Sequence, residues 1–265
     1  MIEGINYQVT QKCNINCAHC SFFCPLVPSD TKHKSIETII SDLALMSKFK
    51  DHLGILGLLG GEPFLHPEFS KILRISRRFF PKSRIIVQTN GSLANNILQW
   101  KDAIDETGAE ITVSVYPYKK DPWEDFYKIK QVIPSAISWG YAIDHGFTIN
   151  QLSNRTGDAS PEQIQGCYKR WWCNQLKDGK LYLCHLIAYI DLLKKYFPGQ
   201  VDMDVDDQCY IDLHDDNLTI EDIERWQDNA WPDICNHCLD AKYGNYAGPV
   251  EAWHRSERKI EEWIG

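Results

Sequence analysis

Cys13-Asn14-Ile15-Asn16-Cys17-Ala18-His19-Cys20 places three thiols in one short loop. Three thiolates at this spacing can hold three corners of an iron–sulfur cube and leave one iron without a protein ligand. A structural four-thiolate site closes its own coordination shell, whereas a vacant position is what metals use for chemistry. The competing reading is zinc, with His19 or Cys24 as the fourth ligand near in sequence.

A second stretch, Leu56-Gly57-Leu58-Leu59-Gly60-Gly61-Glu62-Pro63, reads as a buried apolar strand ending in Gly-Gly-Glu-Pro. Glycines let backbone carbonyls approach an ammonium, and Glu62 supplies charge. Alone the tetrapeptide is an ordinary strand-ending turn. Following the triplet, it resembles the cofactor-amine motif of the radical S-adenosylmethionine (radical SAM) family, as does the three-then-two spacing of the cysteines. The resemblance implies a [4Fe-4S] cluster on Cys13, Cys17 and Cys20 whose open iron chelates S-adenosyl-L-methionine. One-electron cleavage then gives a 5′-deoxyadenosyl radical that removes a hydrogen atom from the substrate. It also implies cofactor contacts from His19, Gly60, Gly61, Glu62, Pro63, Asn90 and Ser114.

From residue 7 to about 152, β-rich runs alternate with helical stretches, the pattern of an α/β fold with a parallel sheet. Strands are expected at 4–10, 54–60, 84–89, 110–116, 136–143 and 147–152, and helices at 35–48, 67–79, 93–107 and 123–132. Six strands match the family's partial (β/α)6 TIM-like barrel, in which ligands bind at the C-terminal ends of strands. Gln88-Thr89-Asn90-Gly91 and Ser114-Val115-Tyr116-Pro117-Tyr118 lie at such ends, although Thr89-Asn90-Gly91 equally reads as a turn needing a left-handed residue. Ser153-Asn154-Arg155-Thr156-Gly157 resembles an element of small radical SAM dehydrogenases of aminocyclitol biosynthesis. That likeness puts Arg155 in the active site, where a guanidinium could clamp the cofactor carboxylate or a substrate hydroxyl. Tyr116, Tyr118, Asp144, His145 and Asn150 are the remaining candidates for substrate contact or catalysis.

A second group of cysteines follows. A hairpin at Asp178-Gly179 would bring Cys184 back beside a strand containing Cys167, and Cys235-Asn236-His237-Cys238 supplies a tight pair. Four ligands in this layout fit zinc as well as iron–sulfur. The spacings resemble the twitch extension, a shortened SPASM domain, and this implies an auxiliary [4Fe-4S] cluster on Cys167, Cys184, Cys235 and Cys238. Cys173 is the rival to Cys167, and Cys24 and Cys209 read as small buried residues. The division expected is a barrel over 1–155, the twitch-like region over 156–243, and an amphipathic helical tail over 244–265.

The chain has 265 residues, a hydrophobic fraction of 43% and ten cysteines. No run approaches the roughly 18 apolar residues of a membrane helix, and the first residues lack the basic start of a secretory signal, so a cytoplasmic enzyme with no membrane partner is expected. Cysteines in a reducing compartment argue for metal ligation. A net charge of −8 gives no general attraction to nucleic acid. The resemblance therefore points to a small polar substrate of carbohydrate or aminocyclitol type, oxidised or remodelled with the auxiliary cluster as electron acceptor, and to an external one-electron donor such as flavodoxin or ferredoxin. The rival readings are a peptide maturase and a non-catalytic metal-binding or electron-transfer protein.

Overall fold

The computed structural model describes residues 1–139, 147–148, 152–154, 160–167, 169–239 and 250–265. Asp144, His145, Asn150 and Arg155 lie outside the described residues.

Five strands run parallel in the order β5-β4-β3-β2-β1, formed by β1 (Ile2–Thr10), β2 (Leu53–Gly60), β3 (Arg84–Thr89), β4 (Glu110–Ser114) and β5 (Ile137–Trp139). Apolar residues on these strands are buried from both sides, as a parallel sheet covered by helices requires. The helices between them are α1 (Ile36–Met46), α2 (Phe69–Phe79), α3 (Leu98–Thr107) and α4 (Glu124–Val132). Ser35 caps α1 by accepting from the Thr38 N–H at 3.2 Å. Gly108, with φ of +61°, ends α3 in the left-handed conformation.

Of the expected sixth strand, the described part β6 (Phe147–Thr148) pairs antiparallel with β10 (Val250–Glu251), and Leu152 bridges to Cys238 and Ile264. On the other edge of β1 lies β7 (Asn174–Lys177), parallel to it, followed by β8 (Lys180–Tyr182) and β9 (Tyr210–Asp212) antiparallel. Hence the strands within 174–212 join the barrel strands in one eight-stranded sheet. Asp178 and Gly179 make the β7–β8 turn with φ of 51° and 71°, as a two-residue hairpin loop needs.

Two apolar clusters fill the molecule. The larger lies between the parallel strands and α1–α4. The smaller gathers Phe23 and Leu26 from beyond the cysteine triplet, α7 (His185–Tyr196), and Trp263. Three short elements complete the extension: α5 (Pro161–Gln165), α6 (Lys169–Trp172) and α8 (Ile220–Asn229), the last capped reciprocally by Thr219 and Asp222.

The tail is not the helix expected. Its described residues, 250–265, run extended along the cysteine loop and form a single 3-10 turn, Ile260–Glu262. Arg255 bridges Cys17, Ala18 donates to the His254 carbonyl at 3.1 Å, and Ser256 donates to the Asn16 carbonyl at 2.9 Å. Pairing with those otherwise unsatisfied groups outweighs the helical propensity of the segment, and Trp263 anchors its end at 2% exposure.

Candidate active site

The triplet leaves the C-terminal end of β1, at the rim where the sheet of a barrel collects its chemistry. Cys13, Cys17 and Cys20 lie close enough to act on one another electrostatically, and Tyr116 feels all three. Burial is the first cause of the raised Cys13 thiol, pushed up to about 11, and it raises Cys17 further. The Cys24 thiol donates to the Cys20 sulfur, holding Cys20 low and pushing Cys24 up. Bare thiolates are thus costly at Cys13 and Cys17, and bound iron would offset that cost by taking the place of their protons.

Gly60 and Gly61 bring the β2 rim against this loop. Gly61 N–H donates to the Thr10 carbonyl and Glu62 N–H to the Lys12 carbonyl, both at 2.8 Å. A Cβ on Gly60 would stand 2.3 Å from the Thr10 oxygen, and one on Gly61 2.1 Å from the Lys12 oxygen, so no side chain fits at either position. Pro63 starts a short 3-10 turn, Pro63–Leu65.

Glu62 is wholly buried, and its carboxylate accepts from the Phe64 N–H at 3.1 Å, the Thr89 hydroxyl at 2.8 Å and the Asn90 N–H at 2.8 Å. Burial lifts its carboxyl to about 7 against the pull of those three donors. The side chain therefore clasps the ends of β2 and β3 together. Asn90 passes the clasp to the triplet, its amide reaching the Cys13 sulfur at 3.7 Å and the Asn14 oxygen at 3.1 Å. At the end of β4, Ser114 accepts from the Gln88 amide at 3.2 Å and shares a hydrogen bond with Tyr116. Tyr118 bonds the Asp125 carboxylate instead, on the flank of α4. The imidazole of His19 is engaged by the C-terminal segment, at the Glu262 carbonyl and the Glu251 carboxylate.

The second group of cysteines converges as well. Cys167, Cys184, Cys235 and Cys238 line one cavity with Leu152, Ile164, Leu183, Leu186, Ile187 and Ile234. Cys173, at the exit of α6, is not among its lining residues. Cys167 is not on a strand as expected. It sits in the turn after α5, its N–H donating to the Ile164 carbonyl at 3.2 Å, because the chain turns into α6 before β7 begins at Asn174. Sequence reasoning passed over Lys169 and Arg170, two buried cations that line the same cavity. Arg170 donates to the Gln227 carbonyl at 2.7 Å and the Ala230 carbonyl at 2.8 Å, which fixes its charge beside the sulfurs. Their adjacency to Cys167 was the available signal.

Among the described residues, no three cysteine sulfurs lie within 4.8 Å of one another. Ligands of one zinc ion stand roughly 3.8 Å apart, given Zn–S bonds of about 2.3 Å. Both groups therefore stand wider than the ligand set of a single zinc ion. Two cations facing four sulfurs also suit the negative charge of a fully thiolate-bound cluster.

The Radical SAM superfamily model matches residues 7–125. The fold is similar to that of BtrN solved in complex with AdoMet and 2-DOIA, at a TM-score of 0.55 and 14% identity over 90% of this chain and 93% of that one. Weaker likenesses are to anSMEcpe with bound AdoMet, at a TM-score of 0.47 and 13% identity over 83% of this chain and 79% of that one, and to Streptococcus suis SuiB bound to S-adenosylmethionine, at 0.37 and 11% over 85% and 65%. No curated protein matches the chain. Among the described residues, no helix is long and apolar enough to cross a membrane. The mostly parallel α/β sheet matches the radical SAM partial-barrel fold, and over residues 7–125 the chain is similar to the Radical SAM superfamily.

Proposed function

We propose that the chain is a radical SAM oxidoreductase that removes a hydrogen atom from a small polar metabolite of carbohydrate or aminocyclitol type and oxidises or remodels it. The observation that carries this reading is the second cavity, where Cys167, Cys184, Cys235 and Cys238 meet Lys169 and Arg170. When bound, S-adenosylmethionine and its [4Fe-4S] cluster supply a 5′-deoxyadenosyl radical, and an auxiliary [4Fe-4S] cluster supplies an electron acceptor.

Cys13, Cys17 and Cys20 hold the first cluster in this reading, and the four later cysteines hold the second. Asn90 orients Cys13, while Gly60, Gly61 and Pro63 shape the rim against which the cofactor lies. Glu62 keeps that rim closed on β3. Ser114 and Tyr116 face the cofactor and substrate side, with Arg155, Asp144 and His145 the further candidates for substrate contact. Four thiolates leave the second cluster no open position, and so its use is electron transfer to and from an external one-electron donor of flavodoxin or ferredoxin type. Support for a small substrate comes from the likeness to BtrN, which spans both chains almost end to end and whose partner in the crystal is 2-DOIA.

The test is anaerobic reconstitution with reductant and S-adenosylmethionine, reading 5′-deoxyadenosine by mass spectrometry and iron by elemental analysis. Cys17→Ala is expected to abolish deoxyadenosine and remove about half the iron, and Cys184→Ala to remove the other half. Deuterium transfer into deoxyadenosine from labelled polyols, and not from peptides, assigns the substrate class. Zinc in place of iron, or transfer from peptides alone, overturns the reading.

A further inference from the structure

Three side chains other than the cysteines converge where the triplet loop meets the C-terminal segment. They are His19, Glu251 and His254, whose ligand atoms lie within 4.8 Å of one another, and they form the one such set among the described residues. The Nε2 atoms of both imidazoles meet the same carboxylate oxygen, Oε1 of Glu251. The rings stand edge to face with centroids 5.7 Å apart.

The other nitrogen of each ring faces a backbone carbonyl. His19 Nδ1 is 2.5 Å from the Glu262 oxygen, and His254 Nδ1 is 3.1 Å from the Arg255 oxygen. A carbonyl can only accept, so each Nδ1 carries a proton and donates it. In a neutral imidazole that leaves Nε2 as a bare lone pair. Two lone pairs then point at a carboxylate oxygen, which also only accepts. Such an array of three acceptors is repulsive until a positive charge enters it. Nδ1–H bonded to a carbonyl is also how metal-ligating histidines are usually oriented. Two imidazoles and a carboxylate are a donor set suited to zinc and its first-row neighbours.

We propose that His19, Glu251 and His254 bind one divalent transition-metal ion of zinc type, which pins the C-terminal segment onto the loop that carries the cysteine triplet. Zinc bonds of about 2.0–2.2 Å would set the ligand atoms roughly 3.3 Å apart, inside the 4.8 Å that encloses them here. Glu251 and His254 are part-exposed, with side chains at 40% and 46%, so the ion can enter from solvent while His19 closes the inner side at 6%. The ligands join segments more than 230 positions apart, as His19 and Glu251 show with a separation of 232. Fixing the tail in this way would also hold Trp253 beside Cys17 and Arg255 in its bridge to that cysteine.

The experiment uses the protein with its iron–sulfur clusters already reconstituted, so that the cysteines are occupied. Zinc sulfate is added, excess is removed by gel filtration, and zinc and iron are counted together. The wild type is expected to keep about one zinc per chain beyond its iron and to melt at a higher temperature than before addition. Glu251→Gln, which keeps size and shape, and His254→Ala are each expected to weaken zinc binding by about 100-fold or more, with iron unchanged. Equal zinc in wild type and both variants overturns the proposal, as does failure of the wild type to retain zinc. So does a melting temperature that rises on acidification alone and ignores both zinc and chelator, because two protonated imidazoles would then be the clamp.

Discussion

The ring of Phe22 stacks on that of His185, with centroids 4.6 Å apart and planes 22° apart. Phe22 lies two residues beyond Cys20, and His185 follows Cys184 directly, so one aromatic contact spans the gap between the two groups of cysteines. Both nitrogens of His185 are buried without a hydrogen-bond partner among the described residues, and burial, then the Lys169 charge, keeps the ring neutral. An unpaired buried polar group costs about 1–3 kcal/mol. His185→Phe is therefore expected to keep both clusters and to raise stability by about 1 kcal/mol, read from denaturant melts. Iron lost from the second site would show that the imidazole has a further role there.

Gly61→Ala tests the approach of the β2 rim to the triplet loop. The new methyl would meet the Lys12 oxygen at 2.1 Å and Cys13 Cβ at 2.8 Å, both on the segment that positions the first thiolate. Expected are loss of about half the iron and of all deoxyadenosine formation, with the second cluster retained. Full iron content in this variant would mean that the loop yields without losing its ligand geometry.

Glu62 predicts a pH dependence. Its folded carboxyl, lifted to about 7 chiefly by burial, holds a proton that the unfolded chain, near its ordinary 4.5, has released. The folded state is thus favoured at low pH, and this contribution is lost as pH rises from about 4.5 to 7, by on the order of 3 kcal/mol. Glu62→Gln is expected to flatten the stability profile of the protein without S-adenosylmethionine across that window. An unchanged slope in the variant would show that the carboxylate is already ionised throughout.

Asp42 couples the barrel to the extension. One carboxylate oxygen accepts from the Tyr7 hydroxyl at 2.8 Å and from Lys34 at 3.2 Å, and the other accepts from the Gly179 N–H of the β7–β8 turn at 2.8 Å. Asp42→Ala strands the Tyr7 hydroxyl and that amide in a buried setting, and the expected loss is about 3 kcal/mol. Hydrogen exchange should quicken first at Gly179 and along β7. Loss under about 1 kcal/mol would show that solvent reaches these groups.

Local order was legible in the chain because it depends on neighbours a few residues away. The triplet spacing, the strands at β1 to β4, the caps at Ser35 and Thr219 and the turn at Asp178-Gly179 all follow from side-chain period, hydrogen-bonding reach and the φ each residue tolerates. The grouping of Cys167 with Cys184, Cys235 and Cys238 around one cavity is different in kind, since it joins distant segments and was expected from the family resemblance.

The tertiary structure decided what depended on distant edges. Residues 250–259 carry no local mark that favours strand over helix, and their conformation follows from the unpaired groups of Asn16 and Ala18 that they meet. Likewise β7 lies beside β1, because an edge strand pairs with whichever backbone the connections bring to it. Glu62 reaches the end of the next strand, where Thr89 and Asn90 supply donors that no local window contains. By itself, then, the sequence determined the kinds of chemistry present and the local elements that carry them. Which edges paired, which carboxylates were buried and which histidines met across more than two hundred residues depended on long-range packing, where the free energy of a backbone edge or a buried charge is set by partners that no local window contains.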